Sequence, residues 1–305
     1  MTACCRLVYR KTMQRDDRLI QGMAGSGDFR ILAAQTTNTV ETARELLDLS
    51  PVAADALGRA LTGALLLARL LDKDVRNQYV TLRFQGNGPL GIVIAEGNIS
   101  GHARGFVGNP IPQDLTLDVP HAIGSGVLTV IRGTPPQGTP YTSAVTLEGS
   151  GVAQELTRYL AKSEQIASAV LLGVLNRRDG VAAAGGIVIQ AFPHASEEAI
   201  ATVESRIKEA PPLSTLIEKM PIEDVVAQVM YGLDYKQIDP SFDVPLSYTC
   251  TCSPQRALAP LALFPPDELQ EMIRQGGSDV VCQFCGRKYS FTSEDLLALT
   301  AKHDA

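Results

Sequence analysis

The sequence predicts an α+β fold. It reads as an N-terminal, mainly antiparallel sheet domain around a buried helix, then a helical linker, then a small C-terminal tetrathiolate zinc module. Three observations carry this expectation. Short apolar runs arrive in hairpin pairs divided by glycine turns, with helical segments between them. The pattern then changes to three proline-bounded stretches of helical period. Four of the six cysteines fall in two tight pairs near the end of the chain. The expected divisions are a tail over 1–18, the core domain over 19–195, the linker over 196–249 and the zinc module over 250–305.

Composition narrows the function classes. The 305 residues are 45% apolar and 20% charged, with no tryptophan and a formal net charge of −6. Nucleic acid and anionic membranes want a basic face, so neither is an expected partner. The start, "MTACCRLVYRKTMQRDDR", lacks the apolar run of a secretory signal. The expected compartment is therefore the reducing cytoplasm, where closely spaced cysteines serve more often as metal ligands or redox groups than as structural disulfides. Cys4 and Cys5 are adjacent and poorly placed to chelate one metal together. The tail reads as an exposed extension, or as an over-extended start before Met13.

The core elements follow in order. The strand-like "FRILAAQ" begins the folded part, and "TNTVETARELLDL" follows as a helix. Next comes "SPVAADALGRALTGALLLARLL", with Ser50 as N-cap and Pro51 at the first helical position. Its charges Asp55, Arg59 and Arg69 fall within an arc of about 80° on a helical wheel. That describes a buried core helix with one wet stripe, and a poor membrane span. "YVTLRF" and "GIVIAE" read as strands joined by Gly-Asn-Gly-Pro, with a second turn at Gly97 and Asn98. "GVLTVIRG" and "YTSAVTLEG" read as two more strands, "GVAQELTRYLAKSE" as a helix, and "IASAVLLGVLN" and "GGIVIQAF" close the domain. Gly86, Gly88 and Gly91 satisfy G-x-G-x-x-G. A dinucleotide loop needs a helix after those glycines, whereas Pro89 and a β-branched run follow here, so the motif reads as a hairpin turn. With no P-loop and no catalytic constellation in the core, an enzyme is not expected.

The linker begins at Ser196. Ile200, Val203 and Ile207 share one face of a first helix, which stops at Pro211 and Pro212. Leu213, Leu216, Ile217 and Met220 repeat the spacing up to Pro221, and Ile222, Val225, Val226 and Val229 repeat it again up to Gly232. Helices this short hold in water only when packed on something, because isolated helices below about 12–15 residues are marginal. These apolar faces must therefore be docked on another part of the chain.

Cys250 and Cys252 form a C-x-C pair, and after 29 residues Cys282 and Cys285 form a C-x-x-C pair. Zinc favours four thiolates in a tetrahedron, and each pair can supply one edge, so one zinc ion is the expected cofactor. His102, His121 and His194 are remote in sequence, and His303 sits at the chain end. Zinc holds all four ligands as thiolates, the form that oxidants attack. Oxidation can then close Cys250–Cys252 and Cys282–Cys285 as local disulfides, neither of which joins the halves that zinc joins. Short-loop crosslinks gain little from loop closure. The module should unfold, and the preceding helices should lose any support they take from it.

At this point the sequence resembles the heat shock protein 33 family of redox-regulated holdase chaperones. "SPVAADALGRALTGALL", "GNGPLG", "GHARGFVGNP", "CTC" and "VVCQFCGRKYSF" carry the resemblance, which runs from about Asp17 to the end. It implies an inactive, zinc-bound reduced monomer. Oxidants, usually with unfolding stress, form the two local disulfides and expel zinc. The linker unfolds, the protein tends to dimerise, and it holds unfolded client proteins without ATP, which makes the linker's apolar faces the candidate client-contact surface. Cellular thiol reductants then allow hand-over to an ATP-driven foldase chaperone. Cys4 and Cys5 match nothing in the family pattern.

Two other readings compete. A zinc-ribbon nucleic-acid binder wants a basic stripe, whereas residues 245–305 carry five basic and seven acidic side chains. A thiol–disulfide oxidoreductase wants C-x-x-C at a helix start in a βαβ setting, whereas "KYSF" follows here.

Overall fold

The computed structural model describes residues 16–71, 75, 77–135, 137–238 and 243–300. Cys4, Cys5, Met13 and His303 lie outside the described residues. The fold is α+β, and its core is one apolar helix enclosed between two six-stranded sheets.

The first sheet has the order β10-β1-β2-β9-β8, with β11 also on β1. Its main strands are β1 (Arg18–Ala24), β2 (Phe29–Gln35), β8 (Ser168–Arg177) and β9 (Gly180–Ala191). The second has the order β12-β5-β4-β3-β6-β7. Its main strands are β3 (Tyr79–Gly86), β4 (Ile92–Asn98), β5 (His102–Val107), β6 (Ser125–Thr134) and β7 (Gln137–Glu148). Pairing in both is antiparallel except for β12 (Ser247–Tyr248), which lies parallel to β5. The helices α1 (Thr37–Leu47), α3 (Val119–Ile123) and α4 (Val152–Ser163) pack around the enclosed helix α2 (Pro51–Ala68).

Local chemistry explains α2. The Ser50 hydroxyl oxygen accepts from the Ala53 amide at 3.4 Å, and Pro51 starts the helix. The helix is long and apolar enough to cross a membrane, yet 83% of it is buried inside the fold. Small residues set how closely the sheets approach. A Cβ on Gly97 of β4 would lie 2.6 Å from the Leu65 amide nitrogen, so strand and helix touch backbone to backbone there. On the wet stripe, Asp55 pairs with Arg59 at 2.5 Å. The carbonyl of Arg69, the helix C-cap, accepts from Arg30 at 3.2 Å.

The two sheets differ in what covers them, and the strands show it. In β3, buried and more exposed residues alternate, because one face meets α2 and the other meets water. In β2 and β9 nearly every residue is buried. Their second face is covered by the linker helices α5 (Glu197–Glu209), α6 (Leu213–Lys219) and α7 (Ile222–Val229). Ile20, Ile31, Ala33, Ile187 and Ile189 form a second apolar cluster with these helices.

The structure adds elements that the sequence pattern hides. β1 precedes "FRILAAQ" and pairs with it in full register, from Arg18 opposite Gln35 to Ala24 opposite Phe29. It is buried on both faces and shows no alternation to read. Asp17 is also part of the fold, because its carboxylate accepts from the amides of Asn38 and Thr39 at 3.1 and 2.6 Å. The expected tail over 1–18 thus ends before Asp17 among the described residues. After the helices, the linker adds β10 (Lys236–Gln237) and β11 (Val244–Pro245) to β1, then β12 to β5, crossing from one sheet to the other. Gly86, Gly88 and Gly91 form the β3–β4 turn, in which a Cβ on Gly88 would lie 2.4 Å from the Ala122 carbonyl oxygen of α3.

Candidate metal centre and its docking on the core

The C-terminal module contains α8 (Pro254–Leu258), a 3-10 turn (Ala259–Leu263), α9 (Pro266–Arg274), β13 (Gly277–Val281), β14 (Lys288–Thr292) and α10 (Ser293–Thr300). Among the described residues its buried apolar side chains are few: Leu261, Leu269, Phe291 and Leu296. The sequence reads "PPDELQEMIRQGG" as a short helix, "KYSF" as a strand and "EDLLALTAK" as a closing helix, and α9, β14 and α10 lie there among the described residues. α8 starts at Ser253-Pro254, the same kind of capping signal that starts α2, with the Ser253 hydroxyl accepting from the Arg256 amide at 3.2 Å, and β13 pairs with β14.

The four cysteines converge. Cys250 and Cys252 precede α8, while Cys282 and Cys285 form the turn between β13 and β14. In that turn the amides of Cys285 and Gly286 donate to the Cys282 carbonyl at 3.3 and 2.8 Å. Gly286 has φ +69°, a left-handed conformation that glycine adopts without strain. All four Sγ atoms lie within 4.8 Å of one another, and all four thiols are free. Cys250 and Cys282 are 3.7 Å apart, and Cys252 and Cys285 are 3.5 Å apart. A tetrahedron of sulfurs around zinc has edges of about 3.8 Å, as Zn–S bonds of about 2.3 Å require. The set therefore fits a tetrathiolate metal site, and the four cysteines can hold a metal ion.

The surroundings tune the thiols unequally. The Tyr289 hydroxyl donates to Cys252 Sγ at 3.0 Å and does most to bring that thiol down to about 7. Burial pushes the Cys250 thiol up to about 12, and raises Cys285 as well. Backbone amides also point at sulfur: Cys252 donates to Cys250, and Arg287 donates to Cys285. Hydrogen bonds of this kind orient metal ligands and stabilise their charge.

The module is seated on the second sheet. Tyr248 lies two residues before the first cysteine, and its hydroxyl is 2.8 Å from the Gly105 carbonyl oxygen and 2.5 Å from that of Phe284, sharing one proton between them. Burial holds that phenol well above its ordinary pKa. Phe284 packs edge-on against Phe106 of β5, with ring centroids 5.4 Å apart. The Arg104 guanidinium lies 4.7 Å from the Phe284 centroid and donates to Thr251 at 3.2 Å. None of Tyr248, Tyr289, Phe284, Phe106 and Arg104 was singled out from the sequence. The one local signal was an aromatic residue placed between two ligand cysteines.

The candidate client face lies elsewhere. Val203, Leu213, Leu216, Ile217, Ile222, Val225, Val226 and Val229 are buried, with Ile200, Ile207 and Met220 partly buried beside them. All pack in the cluster on the first sheet. The helices thus take their main support from the core domain rather than from the cysteine module.

A family model described as Hsp33 protein matches residues 17–292. The chain belongs to the Hsp33 family. The 33 kDa chaperonin of a Thermus thermophilus strain is 41% identical over 298 residues, covering 93% of this chain and 87% of that relative. The 33 kDa chaperonin of Deinococcus radiodurans is 37% identical, with 92% and 97% covered. The crystal structure of the 33 kDa chaperonin (heat shock protein 33 homolog) from Thermotoga maritima superposes with a TM-score of 0.84 at 32% identity, covering 95% of this chain and 100% of that one. Family membership makes this an Hsp33-type chaperone, and its cysteine cluster is compatible with the metal site expected from the sequence.

Proposed function

We propose that the chain is a redox-regulated, ATP-independent holdase of the cytoplasm, off when reduced and zinc-bound and on when oxidised. The observation that carries this reading is the convergence of four free thiols in a module docked on the core, while the apolar linker is folded down. Zinc in finger-like sites contributes about 10–16 kcal/mol. The module's four buried side chains contribute on the order of 10 kcal/mol together, at about 1.5–3 each. Without zinc the module keeps too little burial to stay folded.

Oxidation proceeds in two balanced steps. In each, a pair of thiolates gives two electrons to one hydrogen peroxide, which takes up two protons and leaves as two waters, and a disulfide forms. Together the steps would convert the four thiolates to two disulfides and leave no thiolate ligand to hold a bound Zn²⁺. The shortest Sγ contacts run between the halves, Cys250 to Cys282 and Cys252 to Cys285. Those contacts require the metal or the folded module. Once it loosens, thiols two or three residues apart meet far more often than thiols about 30 residues apart, because closure entropy grows with loop length. Cys250–Cys252 and Cys282–Cys285 are therefore the expected bonds.

Unfolding of the module pulls on β12 and β11, and through them on the linker. When α5, α6 and α7 leave the first sheet, two surfaces open together: the linker's apolar faces, and the sheet face bearing Ile20, Ile31, Ile187 and Ile189. Contiguous apolar surface of this kind binds unfolded chains, and also favours a homodimer. Thiol reductants reverse the disulfides, and the client passes to an ATP-driven foldase.

Two readouts on one sample test this. Oxidised protein should suppress aggregation of an unfolding client without ATP, and reduced protein should not. Trypsin cuts after Lys236, Arg256, Arg274 and Arg287, so the halves fall on separate peptides. Internal disulfides in each peptide are expected, and peptides crosslinked between the halves would overturn the proposed bonds.

A further inference from the structure

The turn that carries Cys282 and Cys285 also carries an aromatic ring into the core domain. Phe284 sits against Phe106, with ring planes at 85°, and beside the Arg104 guanidinium. Phe106 is on the side of β5 turned away from α2. Its neighbour Gly105 faces that helix, since a Cβ there would lie 2.8 Å from Leu57 Cδ1. On this outer face, register places Ile94 beside Phe106, and Arg83 beside Ile94. Ile92, Ile94 and Phe106 are only half-buried, so this wet side of the second sheet has an apolar corner, and the metal knuckle sits at it.

We propose that this corner is a second client site, for an unfolded segment bearing an aromatic side chain, and that Phe284 is its resting occupant. The inference rests on the oxidative release proposed above. Its warrant is the chemistry of what sits there now. Phe106 offers a ring for edge-to-face packing, and Arg104 offers a cation beside the π face. Arg104 is already paired with Glu96 at 2.9 Å, so the place is close to neutral and selects for a ring more than for a charge. Folded proteins bury their aromatic side chains, whereas unfolding ones present them on extended backbone.

The same geometry makes the plug redox-sensitive. Phe284 lies between two of the four converging cysteines, and the hydrogen bonds to the Cys282 carbonyl that shape the knuckle also aim the ring. Closing a Cys282–Cys285 disulfide and unfolding the module withdraws the ring. Ile94, Phe106 and Arg104 then face water. This surface is on the second sheet, whereas the linker helices cover the first.

Photo-crosslinking in the full chain tests the site. Arg83 is exposed and two strands from Phe106, so a photo-crosslinking residue there reports on the corner without altering it. A second probe at Ile207 reports on the linker. With a purified enzyme unfolding at the assay temperature as client, the Arg83 probe should capture residues near Phe284 when reduced, and client when oxidised. Client capture at Ile207 with none at Arg83 would overturn the site and leave the holdase reading standing. Client capture at neither probe would overturn both. Phe106→Ser provides a second arm. After oxidation, it should bind a short labelled Gly/Ser peptide carrying phenylalanine about tenfold more weakly than wild type, as loss of an aromatic anchor requires. Binding of the leucine version of that peptide should change far less. Equal losses for both peptides, or no loss, would refute aromatic recognition.

Discussion

Replacing Ile222 with alanine should switch the reduced, zinc-loaded protein part-way on without any oxidant. Ile222 is fully buried at the start of α7, in the cluster that joins the linker to the first sheet. Truncating a buried isoleucine to alanine costs about 2–5 kcal/mol. The loss falls on the docked linker only, since the undocked linker exposes the side chain anyway. A cost of about 3 kcal/mol raises the undocked population of the reduced state by about 100-fold, at about 1.4 kcal/mol per factor of ten. Ile207 is only partly buried, so Ile207→Ala should cost about 1 kcal/mol and raise that population about fivefold. Hydrogen exchange over α5–α7 measures the undocking, with α2 as an internal reference that should not change. Client-aggregation suppression by the same samples, with zinc content confirmed, measures the consequence. Ile222→Ala protein whose linker exchanges faster, but which suppresses aggregation no better than wild type, would refute the idea that linker docking withholds the client surface.

Further expectations follow from the site and the core. Cys252→Ser should abolish stoichiometric zinc binding, read by metal analysis of purified reduced protein, because the other three thiolates leave one corner of the tetrahedron empty. In the folded, zinc-loaded module the Tyr289 hydroxyl donates to Cys252 Sγ and stabilises its thiolate, so it should slow loss of zinc to a chelator. Tyr289→Phe removes the donor, so the reduced, zinc-loaded variant should lose zinc to a chelator faster than wild type at neutral pH, and an unchanged rate would contradict the assignment. Because zinc needs deprotonated thiols, zinc retention against a chelator should weaken as pH falls. Gly97→Ala sets a Cβ 2.6 Å from the Leu65 amide nitrogen, so β4 and α2 must separate. A loss of about 1–3 kcal/mol in unfolding free energy is expected by denaturant titration, the range for overpacked cores.

What could be read from the sequence was local. The cysteine pairs declare themselves because both members of each pair lie within a few residues, and Ser50-Pro51 marks the start of α2 by short-range capping. The linker helices were legible from their period, but what they cover was not: the partner face belongs to β1, β2 and β9, far away in sequence. β1 was missed because burial on both faces removes alternation, and because it follows directly on a polar stretch. β10, β11 and β12 are two residues long and exist only as pairings with distant strands, so no window of sequence holds their signal. The Phe284–Phe106 contact is of the same kind. Each ring alone is an ordinary aromatic residue, and only the fold puts one on the other.

The most direct test of the account follows zinc and function on one clock. Peroxide is added at a temperature that promotes unfolding. Released zinc, hydrogen exchange over residues 197–229, and suppression of client aggregation are then read from the same aliquots. The account predicts that zinc release comes first, and that linker exchange and aggregation suppression then rise together. Full zinc release with both disulfides formed, a linker still protected, and a client nonetheless held would contradict it.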